Sequence, residues 1–268
     1  EKAHKNVLLD LNLFHIASFR NGSIAALIIS MGEFGLLFAI PLWLQNVLGL
    51  SPIDSGLVLL WLAGGSFLAS GAAGAMSGKL PAATVVRIGV GLELAAVASV
   101  ALFANVEAGV ISVAPSLFIY GLGIGLATAQ LTGVIMVDVP FEKAGQGSGT
   151  QSTARQVGSA LGIAVLGTML FTGTQNSIDS QLAKIDGMTK AQSPTISQKV
   201  VDSAGSAIPA LKEGLLAQHV PADVADKVVK AAGDGFTEGT KFSAWAAAAF
   251  LGLGFLSTFR LGSRKRKE

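Results

Sequence analysis

The sequence predicts an all-α membrane protein: a bundle of six transmembrane helices with one long extracytoplasmic loop that contains short helices. Three observations predict this. Charge is scarce, at 13% of 268 residues with 51% apolar, where an ordinary soluble domain carries about a quarter charged residues. The charges are also segregated, leaving long stretches nearly bare. Finally, the basic residues of the short connections fall on one side of the expected crossings, as the positive-inside rule requires.

Composition excludes several function classes. A formal net charge of +2 is too small to suggest a nucleic-acid partner, and the absence of cysteine removes disulfides, thiol nucleophiles and thiolate metal sites. His4, His15 and His219 are scattered and read as solvated residues, so no metal ligand set is expected. The first twenty residues are polar and mixed, unlike a cleavable signal. No cofactor is expected. Nor is an enzyme, because no nucleophile–base set, metal cluster or strand-borne phosphate loop is visible.

A spanning helix needs about 20 mostly apolar residues to cross a hydrocarbon core about 30 Å thick. Segment 1–23 is a cytoplasmic lead-in, and 24–171 holds five spans. The first runs from about Ile24 to Val47, interrupted only by Glu33. The second, Gly56 to Ser77, has no charge, and the third, Val85 to Asn105, carries Arg87 at its edge and Glu93 inside. The fourth, Val110 to Val137, has Gln130 as its main polar group, and the fifth, Gly145 to Phe171, is polar only in its first third. The stretch 172–241 is expected to be the extracytoplasmic loop, 242–261 the last span, and 262–268 a basic cytoplasmic tail. The second and fourth spans lack the polar stripe that a soluble helix shows.

Lys2, Lys5, Arg20, Lys79, Arg87, Lys143, Arg155, Arg260 and the tail Arg264 to Lys267 would share one side, while the short loops around 46–54 and 105–109 contain no Lys or Arg. Both termini are therefore expected in the cytoplasm, in a multi-pass protein of the cell (inner) membrane. The tail reads as a topology anchor, with an anionic-lipid contact as the alternative.

Ser51-Pro52-Ile53-Asp54 forms a capping-box-like start for the second span, which makes Asp54 structural. Helices in lipid associate through small residues. Gly121, Gly125, Ala129 and Gly133 give the fourth span such a stripe, Ser66, Ser70, Gly74 and Gly78 give one to the second, and Gly158 and Gly162 extend the pattern to the fifth. Tight crossings are expected at all three, whether as fixed packing or as a moving interface.

Four segments also carry a family resemblance: Leu8 to Phe14; Gly49-Leu50-Ser51-Pro52; Gly74 to Leu80 with Arg87 beyond; and Val139-Pro140-Phe141-Glu142-Lys143-Ala144-Gly145-Gln146-Gly147-Ser148-Gly149 followed by Arg155, Gly158 and Gly162. Together they resemble the C-terminal half of fourteen-helix drug:proton antiporters, the EmrB/QacA group of the major facilitator superfamily. The loop at Lys79 departs from the pattern in lacking the acidic residue beside its basic ones. The resemblance implies the C-terminal domain of a major facilitator fold. It also implies proton-coupled efflux of drugs or other lipophilic or cationic compounds by alternating access. The expected partners are the small-molecule substrate, protons, the lipid bilayer and an N-terminal transporter half, which has no counterpart in these residues. A dedicated exporter of one metabolite or envelope lipid, and a non-transporting membrane scaffold, are the alternatives.

Ionisable groups inside a span are costly, about 3 kcal/mol at a helix centre, and call for a reason. Glu33 lies beside Gly32 and Gly35 with nothing near it in sequence to neutralise it. The resemblance puts its helix on the central cavity, so it is the first candidate for proton or substrate binding; a hydrogen-bonded neutral acid is the alternative. Glu93, Gln130 and Trp61 complete that candidate set, with Glu93 also readable as a structural or lipid-facing acid on a peripheral helix. Lys79, Arg87, Arg155, Gly121 and Gly125 form a gating or bundle-interface set, in which Arg155 anchors the cytoplasmic end. Asp138 and Glu142 are candidate partners for Lys143 or Arg155. Trp43, Trp61 and Trp245 are expected in the interfacial aromatic belts.

Overall fold

Backbone amides and carbonyls have no water partner in an apolar medium, so a chain this greasy must satisfy them internally, as helices do. The computed structural model describes residues 10–76, 78–185 and 192–261, whose regular elements are all helices, without strands. Lys2, Lys5, His4, Leu8 and Leu9, Ser77 and the basic tail lie outside the described residues. Six long helices form the bundle: α1 (Ala17–Asn46), α2 (Pro52–Met76), α3 (Ala82–Phe103), α4 (Ala114–Met136), α5 (Ala144–Leu182) and α8 (Ala222–Thr258). Two short helices, α6 (Gln192–Asp202) and α7 (Leu211–Ala217), lie between α5 and α8.

Close backbone contacts give the register. A Cβ at Gly158 or Gly162 of α5 would overlap the Leu27 or Met31 carbonyl of α1, so these helices run parallel. Equivalent contacts of Gly121 with Leu62 and of Gly125 with Ser66 set α2 parallel to α4. Pairs such as Gly89–Ala127 and Gly254–Ile29 set α3 against α4 and α8 against α1. Successive long helices therefore alternate in direction. Arg20, Lys79, Arg87, Lys143 and Arg260 gather at one end of the bundle, and the connections at the other end between α1 and α2 and between α3 and α4 hold no Lys or Arg.

Helix α1 is the centre, packed on α4, α5 and α8, and α2 is the rim, held mainly by α4. Only the Ser55, Val58, Gly65, Ala69, Ala73 stripe of α2 is buried. Of the expected crossing through Ser66, Ser70, Gly74 and Gly78, Ser66 does meet Gly125 of α4, and the other three positions are corrected. Ser70 and Gly74 are exposed, and a Cβ at Gly74 or Gly78 would meet open space. Gly65, one residue away, makes the close approach to the Phe118 carbonyl instead. The rest of α2 presents Leu57, Leu60, Trp61, Phe67 and Leu68 outward, an apolar face suited to lipid or to another helical bundle.

The expected loop at 172–241 is shorter than its polarity suggests. Helix α5 continues past Phe171 to Leu182, and α8 begins at Ala222, twenty residues before the expected last span at 242. These extensions stay helical because they bury each other: Ile178, Leu182, Val228 and Phe236 are fully enclosed, and Gly239 lies against the Leu170 carbonyl and Thr174. At about 1.5 Å per residue, α5 with 39 residues and α8 with 37 run to about 55–60 Å, well beyond a hydrocarbon core of about 30 Å. Helices α1 to α5 are long and apolar enough to cross a membrane. The apolar part of α8 begins only at Phe242, after Glu238 and Lys241, and is correspondingly short. It nonetheless packs inside the bundle on α1, α3 and α5.

Candidate functional site: a buried acid pair and its arginine

Glu33 sits near the middle of α1, on a helix with glycines on either side of it that let α5 and α8 approach. The carboxyl is 4% exposed, and its charge partner comes from α5: Arg155 Nη2 lies 3.6 Å from Glu33 Oε2. Arg155 precedes Gly158 and Gly162 by one and two turns, and those glycines seat α5 on α1. The same face therefore directs the guanidinium at α1. Its side chain is 27% exposed, so the pair is reached from one side and closed on the other. The sequence offered Glu33 no neutralising neighbour and read Arg155 as an end anchor; the fold makes them partners 122 positions apart.

Glu93 is the second acid, and it is 0% exposed. It points inward from α3, where Gly123 of α4 leaves room for it; a Cβ at 123 would sit 2.6 Å from Glu93 Cγ. The reading of Glu93 as a lipid-facing acid is thereby corrected. Among the described residues neither of its oxygens has a hydrogen-bond partner. The charges of Glu33 and Arg155 both act on it. Tyr120 of α4 joins the group: its hydroxyl donates to the Glu33 backbone carbonyl at 3.0 Å, and both acids act on it electrostatically. Sequence reading passed over Tyr120. The signal was that it is the only tyrosine of the chain, in an uncharged helix where a buried hydroxyl needs a partner.

The remaining candidates stand apart from this cluster. Gln130 donates to the Ala73 carbonyl of α2 at 3.2 Å and so ties α4 to α2 rather than lining a cavity with a free amide. Trp61 is exposed and meets Phe118 edge-to-face at 6.3 Å. Lys79 is exposed in the turn after α2. Arg87 donates to the Thr258 carbonyl at 3.3 Å and lies 4.8 Å over the Phe259 ring, closing the C-terminal end of α8. A cation at a helix C-terminus is favourable in its own right. Gly121 and Gly125 face α2 inside the bundle, while Gly133 on the same stripe meets open space.

Three structural contacts frame the site. Trp43, expected in an interfacial belt, is fully enclosed and donates its indole N–H to the Thr237 hydroxyl of α8 at 2.8 Å, because α8 covers the end of α1. Ser51 and Asp54 form the capping box: the Asp54 amide donates to Ser51 Oγ at 3.1 Å and the Ser51 hydroxyl donates to Asp54 Oδ2 at 2.7 Å. At the basic end, Lys143 Nζ lies 2.5 Å from Asp10 Oδ2, joining the lead-in to the connection between α4 and α5. That ammonium, together with the Asn12 amide, holds the Asp10 carboxyl below the usual carboxylate range.

Comparison with known proteins follows the same outline. The family model described as Major Facilitator Superfamily matches residues 2–163. The chain is 26% identical over 260 residues to the multidrug resistance protein Stp of Mycobacterium tuberculosis (strain ATCC 25618 / H37Rv), covering 97% of this chain and 47% of that protein. It is 27% identical over 255 residues to the multidrug efflux pump LfrA of Mycolicibacterium smegmatis, covering 92% and 48% respectively. Against the tetracenomycin C resistance and export protein of Streptomyces glaucescens it is 34% identical over 166 residues, 61% of this chain and 30% of that one. The chain thus spans less than half the length of each of these relatives.

Proposed function

Because this chain belongs to the major facilitator superfamily, we propose that it is the C-terminal half of a proton-coupled exporter of drugs or other lipophilic or cationic compounds. The observation that carries the reading is the Glu33–Arg155 pair, a carboxylate enclosed at the middle of the central helix with a partly exposed cation from α5 beside it. An ion pair inside apolar surroundings gains little net stability over apolar packing, and breaking it leaves an uncompensated charge. It suits an exchange in which a cationic substrate competes with Arg155 for the carboxylate while a proton moves the opposite way. The relatives in mycobacteria, a multidrug resistance protein and a multidrug efflux pump, support export as the activity. In this reading the bundle rocks against an N-terminal half, with the outward apolar face of α2 among the surfaces that half would cover. The basic end faces the cytoplasm of a cell with this protein in its inner membrane.

The test is transport by the full-length protein in vesicles, with ethidium as the lipophilic cation. Antiport predicts that collapsing an imposed pH gradient stops ethidium accumulation. Accumulation that persists without the gradient removes the proton from the mechanism. The name of the Streptomyces glaucescens relative, an export protein for tetracenomycin C, favours a second reading as a dedicated exporter of one compound. Competition separates the two: several unrelated lipophilic cations displacing ethidium supports the broad reading, and none doing so supports the narrow one.

A further inference from the structure

Glu93 is a titratable group that the Glu33–Arg155 pair leaves unused. It is wholly enclosed, and among the described residues both of its oxygens lack a hydrogen-bond partner. Burying a polar group without a partner is costly, and burying an isolated charge far more so. Its surroundings contain one cation for two acids. Helix α3 packs on α4 and α8. From α4 the ionisable group acting on it is Tyr120, and the apolar stretch of α8 from Phe242 to Thr258 has none. From α1 and α5, Glu33 and Arg155 act on it, and Arg87 on its own helix is engaged with Thr258 and Phe259. The chain has made room for the acid: Gly123, with no side chain, is what lets Glu93 fold inward.

We infer that Glu93 is the resident proton carrier of this site, charge-balanced against the Glu33–Arg155 pair and released when a cationic substrate enters beside Glu33. The charges balance at each stage. At rest, ionised Glu33 offsets Arg155 and Glu93 is a neutral acid, so the cluster carries no net charge. When a monovalent lipophilic cation enters, two cations face one carboxylate. The Glu93 O–H bond then breaks and its proton leaves past Glu33 and Arg155, the exposed side of the cluster. Two carboxylates now offset two cations, and the neutral total is restored. The reverse sequence returns the proton and expels the cation. Two acids that share one site in this way titrate as a unit rather than singly. The inference rests on the proton-coupled reading above and assigns the proton to a particular residue within it.

Proton release on ethidium binding, followed with a pH indicator in weakly buffered solutions of the full-length detergent-solubilised protein, tests both levels separately. The wild type is expected to release about one proton per bound ethidium, and Glu93→Gln almost none for each ethidium it binds. Wild-type protein that binds ethidium without proton release overturns the proton-coupled reading itself. Wild-type release matched by equal release from Glu93→Gln overturns only the assignment to Glu93. Infrared pH-difference spectra give a readout independent of substrate. A protonated-carboxyl C=O band is expected in the wild type, lost in Glu93→Gln, and displaced but present in Glu93→Asp. A band unchanged in Glu93→Gln places the proton elsewhere and overturns the assignment. Should Glu93→Gln fail to fold, Glu93→Asp decides, because a shorter acid that leaves the band in place contradicts it.

Discussion

Arg155 of α5 and Glu33 of α1 face each other at 3.6 Å inside the bundle, one with a side chain 27% exposed and the other almost wholly enclosed. The two helices run parallel, and the glycines one and two turns beyond Arg155 bring them close enough for the pair to form. The pairing and the packing that holds it have measurable consequences.

Neutralising one partner strands the other. Arg155→Gln and Glu33→Gln are each expected to destabilise the protein by on the order of 3 kcal/mol, the low end for a buried pair because Arg155 retains some solvent. The double substitution should cost less than the sum, with a coupling of about 1–3 kcal/mol. Thermal unfolding of the four proteins in one detergent measures this. Strictly additive losses would mean the pair does not interact.

Tyr120→Phe removes the hydroxyl that donates to the Glu33 carbonyl and little else. A loss of about 1 kcal/mol is expected, visible as a lower unfolding midpoint with the fold retained. No change at all would show that this hydrogen bond adds nothing to stability.

The α2–α4 crossing has no space for a side chain at Gly125, where a Cβ would overlap the Ser66 carbonyl, whereas Gly133 meets open space. Gly125→Ala is expected to destabilise by about 1–3 kcal/mol through overpacking. Gly133→Ala should be neutral or slightly stabilising, since alanine is the better helix former. Equal behaviour of the two variants would contradict the α2–α4 register.

At the basic end, Asp10 has a carboxyl held below its ordinary value by Lys143. The sign of the linkage follows: a depressed folded value contributes stability that is fully present above the unfolded value of about 3.9 and is lost as pH falls through the folded value. The protection of residues 10–16 from hydrogen exchange, taken relative to an unstructured peptide at the same pH, should therefore be higher at neutral pH and fall below about pH 4, and Asp10→Asn should lower it at neutral pH as well. Protection that is the same in both proteins at neutral pH would show that the ion pair does not hold the lead-in.

The sequence announced much of the fold and only half of the site. Apolar runs of spanning length and one-sided basic loops predicted the first five spans, and the capping box at Ser51 and Asp54 fixed the start of α2. Extensions of α5 to Leu182 and of α8 back to Ala222 were illegible, because their polar sequence resembles a loop until the two helices cover each other. Glu33 was visible as an acid inside an apolar span, where an ionisable group is costly. Its partnership with Arg155 was not, since it depends on which helices are neighbours. The clue lay in the spacing of Arg155, Gly158 and Gly162 on one face, which directs the arginine wherever the glycines make contact. The usual position of its helix allows Glu93 to face lipid, and only the room-making glycine on α4 turns it inward. Trp43 went astray for a similar reason: an aromatic near a helix end belongs to the interface only if no other helix covers it, and α8 does.

Whether the enclosed Glu33 carboxylate couples protons to export is decided by pH-gradient-driven ethidium accumulation in vesicles holding equal amounts of the full-length wild type, Glu33→Asp and Glu33→Gln. Coupling through Glu33 requires accumulation by the wild type, weakened accumulation by Glu33→Asp and none by Glu33→Gln. Accumulation by Glu33→Gln at the wild-type level would refute it.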